Sequence, residues 1–145
     1  MEDLKKALKQ LVNMAGKYGL DTLIKENRFG DVFLLCWVQT EMYIDRMVLG
    51  HYGLLKSNND LEVQFVIHSS FENKLNFLKK QKIITNDEYE KIHTFQLERN
   101  KLVHFSPKGE FFKRFYDDDK RNYTLETALC ALGNASTAFY KKFED

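Results

Sequence analysis

Residues 86–105 read NDEYEKIHTFQLERNKLVHF. Tyr89, Ile92, Phe95 or Gln96, and Leu102 with Val103 recur at helical spacing, so one stripe of this segment faces a core. Thr85 and Glu88 have the spacing of a capping box, which places the start of the helix. Pro107 forces Ser106 away from helical geometry, so the helix stops near His104. A core-building helix thus carries Arg99, Asn100 and His104 together just before its end.

The same reading extends in both directions. Ser69 and Glu72 have capping-box spacing ahead of FENKLNFLKKQ (71–81), which places another helix start. Leu4, Leu8, Leu11, Val12 and Ala15 form one apolar stripe of a first amphipathic helix, loosened at its end by Gly16 and Gly19. DTLIKENRFG (21–30) is a connector with one or two helical turns. Asp31 is a candidate N-cap for VFLLCWVQTEMYIDRMVLG (32–50). The first half of that helix is apolar nearly all round, as expected of the central helix of a bundle, and Gly50 and Gly53 end it. Leu61, Val63, Phe65 and Ile67 alternate as in a strand, but a lone short strand has no evident partner. Residues 61–68 are therefore read as extended or irregular helix. Thr124 is placed as the cap of a last helix, with Leu125, Ala128, Leu129, Leu132, Ala135 and Phe139 inward. Between the last two helices, KGEFFKRFYDDDKR (108–121) reads as a polar-aromatic loop. The sum is an all-α bundle of four or five helices with short connections.

With 145 residues, the chain suits a single domain, 1–145, and no repeat or Gly/Ser-rich linker divides it. Twenty-two basic and 21 acidic side chains nearly cancel, so an anionic partner must be met by a local patch. Cys36 and Cys130 lie far apart among apolar neighbours, as two free thiols of a reducing compartment. The charged N-terminus lacks the apolar run of a signal peptide, and VFLLCWV (32–38) is too short to span a bilayer. A cytoplasmic protein with no membrane partner is expected.

Around a helix, Arg99 and His104 lie about 140° apart, whereas Asn100 and His104 share a face. The arginine and histidine converge on one point only if the helix loosens or a second copy supplies the matching pair across a twofold axis. Histidine exchanges a proton near neutral pH. Arginine's planar fork holds phosphate oxygens. A base beside a phosphate clamp is a sufficient kit for RNA cleavage through the ribose 2′-hydroxyl, and no HxxE, CxxC or Asp-rich cluster is present to hold a metal. The spacing alone is weak, because Arg46 and His51 in RMVLGH repeat it.

FENKLNFLKKQKIITNDEYEKIHTFQLERNKLVHF (71–105) resembles the signature of HEPN-superfamily domains. In these, a short helix leads through an apolar turn into a long helix ending in arginine, a polar residue, three others and histidine. The resemblance is close over residues 70–105, and the helix with Trp37 and Glu41 and the trailing helix fit in placement. It implies a four- or five-helix HEPN-like bundle, usually a homodimer, and a metal-independent endoribonuclease of toxin–antitoxin, antiphage or RNA-processing type. It makes Arg99 and His104 the catalytic pair and Asn100 the residue that helps orient them. No cofactor is implied. Because the family also contains non-catalytic members, the alternative is a protein- or nucleotide-binding regulatory module, with an antitoxin or regulator as partner.

Glu41 and Asp45, one turn apart, are candidate supports for Arg99 or His104, or else solvated or paired with Arg46. Lys101, Lys108, Lys113 and Arg114 are candidate RNA contacts, with Phe111, Phe112, Phe115 and Tyr116 interleaved, although Asp117, Asp118 and Asp119 repel phosphate. Lys79, Lys80 and Lys82 read as a wet helix face, and His93 as structural.

Overall fold

The computed structural model describes residues 2–55, 60–104 and 113–143, without the side chains at positions 60, 62, 65, 103 and 104. The helices are α1 (Glu2–Gly16), α2 (Asp21–Lys25), α3 (Phe29–His51), α4 (Asp60–Ile67), α5 (Phe71–Lys80), α6 (Asn86–His104) and α7 (Asp118–Phe143). A single 3-10 turn, Arg114–Tyr116, precedes α7. No strand occurs among the described residues. Four long helices, α1, α3, α6 and α7, thus form the all-α bundle, and the three shorter ones fill its corners.

The central helix is α7, not α3. It packs on α3, α6 and α1, and Leu125, Ala128, Leu129, Leu132 and Ala135 are sealed from solvent along it. Alternating alanine with leucine lets three neighbours approach closely. The outer face of α3 leaves Leu34, Leu35, Val38 and Met42 exposed, so its all-round apolarity does not come from a central position. Phe33 meets Phe95 edge-on at 5.2 Å and also contacts the ring of Phe115, which closes the core between α3, α6 and the 3-10 turn.

Capping explains where several helices start. Thr85 and Glu88 form the reciprocal box as expected, with Thr85 N donating to Glu88 Oε1 at 2.8 Å and Glu88 N to Thr85 Oγ1 at 3.1 Å. Ser70, not Ser69, caps α5 and accepts from Asn73 N. Asp31 does not cap α3, which begins two residues earlier, and instead binds the Arg28 guanidinium at 2.8 Å. Thr124 does not cap α7 either. That helix starts six residues sooner, where Asp117 Oδ1 accepts from Lys120 N and Asp118 and Asp119 sit in the first turn. Three acidic residues at a helix N-terminus suit the macrodipole, so the end of the expected loop is helical.

Residues 60–67 are helical rather than extended, with Val66 buried. Gly50 lies inside α3, and a side chain there would meet the Phe143 ring at 2.7 Å. Its role is to seat the last turn of α7. Pro107 and Lys108 lie outside the described residues.

Candidate functional site

Arg99 occupies the penultimate turn of α6, half-buried at the edge of the core stripe. Its guanidinium carbon lies 4.8 Å from the centre of the Trp37 ring. Trp37 is itself fixed, with Phe71 at 4.7 Å and Phe95 at 5.6 Å. Arg99 Nη1 donates to Asn100 Oδ1 at 3.4 Å, so the polar neighbour expected to orient the arginine does touch it. A cation held on an aromatic face loses rotamer freedom before any ligand arrives. His104 is the last residue of α6, and its side chain lies outside the described residues.

The acidic candidates divide. Glu41, one turn beyond Trp37 on α3, is half-buried and forms no ion pair among the described residues. Asp45 accepts a hydrogen bond from Lys74 Nζ on α5, and the same ammonium donates to the Ile67 carbonyl at 3.1 Å. Lys74 is 5 % and Asp45 17 % exposed. Asp45 therefore clamps α5 to α3 and is not paired with Arg46, whose guanidinium lies 5.0 Å from the Phe139 ring. His51 stacks edge-on against Tyr52 and Phe77. The Arg46–His51 repeat of the motif spacing is thus distributed over separate packing contacts.

Among the basic candidates, Lys101 and Lys113 are exposed. Arg114 is engaged: its Nη2 donates to both carboxylate oxygens of buried Glu98, at 2.9 and 3.2 Å. That pair holds the 3-10 turn against α6. Lys108 lies outside the described residues. No three His, Cys, Asp or Glu side chains among the described residues come together to hold a metal ion.

Two partners of the motif escaped the sequence reading. Trp37 was placed beside the site but not under Arg99, and its being the only tryptophan was the one available signal. Glu98 immediately precedes Arg99, yet nothing in its spacing indicates Arg114 as its mate. A third feature is the near-parallel stack of Tyr89 on His93, centroids 5.3 Å apart.

An apolar surface adjoins the site. Leu34, Val38 and Met42 repeat every four residues on α3, next to the face bearing Trp37 and Glu41, and Val38 is 60 % exposed. On α6, exposed Leu97 shares a helical face with positions 100, 101 and 104. By contrast, a cavity of about 780 Å³ lies elsewhere, between α3, α4 and α5, with Val48, Leu54, Val66 and Phe77 in its walls.

The chain has no match among protein-family models, curated proteins or solved structures. The likeness to HEPN domains therefore rests on the motif of residues 70–105 alone. No described helix is long and apolar enough to cross a membrane.

Proposed function

We infer that the protein is a dimeric, HEPN-like, metal-independent endoribonuclease. The observation that carries this reading is the seating of Arg99 on Trp37 beside Asn100, less than two turns before the helix ends at His104. A guanidinium seated on an aromatic ring keeps its charge and planar fork in a fixed place, which is the chemistry that binds phosphate oxygens. His104 takes the proton of the ribose 2′-hydroxyl, O2′ bonds to phosphorus, and the P–O5′ bond breaks. An imidazolium returns a proton to the leaving O5′. The products are a 2′,3′-cyclic phosphate and a 5′-hydroxyl.

A second copy of the chain completes the site. Arg99 and His104 diverge by about 140° on one helix, and the exposed Leu34, Val38, Met42 and Leu97 supply apolar area beside it. An isologous contact there brings two Arg99–His104 sets together.

The test incubates the protein with RNA in chelator, alongside a matched strand lacking 2′-hydroxyls, Arg99→Ala and His104→Ala. Cutting of RNA alone, lost in both variants, is expected. Equal cutting of the deoxy strand eliminates the mechanism, and undiminished cutting by His104→Ala removes His104 from it.

One observation favours a second reading, a non-catalytic module that binds an antitoxin or regulator: contacts with Trp37 and Asn100 also suit an arginine that only packs. In that case Arg99→Ala lowers stability while His104→Ala leaves biological output intact.

A further inference from the structure

Three lysines at the α5–α6 corner, Lys79, Lys80 and Lys82, line a concavity of about 520 Å³ with Asn76, Thr85 and Asn86. None of the three forms an ion pair among the described residues, whereas Lys25, Lys74, Arg28, Arg114 and Arg121 all do. Lys82 is held in the turn by a left-handed backbone, φ 59°. Lys79 lies 4.3 Å from the Tyr89 ring, whose hydroxyl donates to Asn76 Oδ1 at 3.0 Å. The nearest carboxylates in sequence are Asp87 and Glu88, and Glu88 is occupied by the Thr85 box.

This corner is connected to the motif by one helical face. At 100° per residue, Tyr89, His93, Leu97, Asn100 and position 104 fall within a stripe about 80° wide along α6. Tyr89 and His93 are half-buried and stacked with an interplanar angle of 13°, and Leu97 is exposed. From Asn86 to His104 the helix rises about 27 Å. A strand laid along that distance covers on the order of eight stacked nucleotides at about 3.4 Å per step.

We propose that the Lys79–Lys80–Lys82 corner is an RNA exosite, which grips the phosphates of a single-stranded arm laid along α6 from the Arg99–His104 site. The proposal rests on the ribonuclease reading and specifies its substrate: single-stranded RNA extending well beyond the scissile bond. Charge and ring supply the two ingredients of such a track, ammonium groups for the backbone and flat side chains for bases. Tyr89 already lies against Lys79 and His93, so a base would stack on the other face of His93, and a duplex fits less well because that needs bases free of pairing.

The experiment uses the full chain carrying His104→Ala, so that RNA is not consumed, and a 20-nucleotide oligouridylate as probe. Fluorescence anisotropy is read across a salt series, with and without the triple change Lys79→Gln, Lys80→Gln, Lys82→Gln. Loss of three single-strand contacts lowers the log–log salt slope by about 2, with affinity falling at least tenfold at low salt. His93→Ala weakens binding of the oligouridylate but not of inorganic polyphosphate. With His104 restored, the triple variant cleaves a tetranucleotide as the parent does. Unchanged affinity and slope overturn the exosite. So does a parent that binds no oligouridylate, whereas the ribonuclease reading falls separately, if the unsubstituted chain leaves RNA uncut in chelator. Competition by poly-aspartate equal to that by RNA overturns the assignment to nucleic acid. If the triple variant has a lowered melting temperature, Lys80→Glu alone decides by the same slope.

Discussion

Lys74 and Asp45 show what a single residue can decide. An ammonium only 5 % exposed is met by a carboxylate and by the Ile67 carbonyl. Asp45→Ala strands that cation, and a loss of about 3–5 kcal/mol is expected in urea unfolding. Replacing both partners by leucine and methionine costs far less, since a buried pair contributes little beyond an apolar substitute. Cys36 makes a second residue-level case. Burial pushes its thiol from 9.0 up to about 12. As pH rises through 9 the unfolded chain releases this proton while the folded chain keeps it, so stability present below pH 9 declines toward pH 12. The slope from this one group approaches about 1.4 kcal/mol per pH unit. Urea midpoints between pH 8 and 11 should fall less steeply in Cys36→Ala, and alkylation of the native protein should modify half-buried Cys130 before Cys36. Neither pairing nor depth was readable locally: Asp45 lies beside Arg46 in the sequence but 29 residues from Lys74.

At the scale of elements, a reciprocal box within one turn was legible at Thr85–Glu88, whereas the equally local caps at Ser70 and Asp117 were assigned to neighbouring candidates, Ser69 and Thr124. Thr85→Ala should lower stability by about 1 kcal/mol in thermal unfolding. Thr124 shows the opposite. It also has a cap-like residue type, yet it is fully buried within α7 and its Oγ1 has no hydrogen-bond partner among the described residues. Thr124→Val should therefore be neutral or stabilising by about 1 kcal/mol, the cost of a buried hydroxyl left unsatisfied. Loss of stability comparable to Thr85→Ala would count against this placement. The alternation at Leu61, Val63 and Ile67 gave way to a helix, which satisfies its own backbone groups, and no strand occurs among the described residues to pair with it.

Across the whole molecule, the exposed α3 stripe lies beside Arg99, and the dimeric ribonuclease proposed above makes it the contact with a second copy. Val38→Glu should shift the protein to monomer in sedimentation and abolish cutting, while its helical content stays unchanged. Mixing Arg99→Ala with His104→Ala should regain activity that neither variant has alone, because a mixed pair holds one intact arginine and one intact histidine across the axis. Absence of any recovery at equal chain ratios would mean that each protomer works alone. The stripe also explains a misplacement. An apolar surface left exposed and one facing a central core have the same composition in the sequence, so α3 resembled a core helix.

The identity of α1, α3, α5 and α6, the inward stripes of α1, α6 and α7, and the Arg99–Asn100–His104 motif follow from spacing along the chain, because hydrophobic period acts over a few residues. Which helix lies at the centre, that Trp37 supports Arg99, and that Asp45 and Arg114 are taken by Lys74 and Glu98 depended on the fold. Those contacts join residues distant in sequence, and their energies depend on burial and approach that exist only after the helices pack.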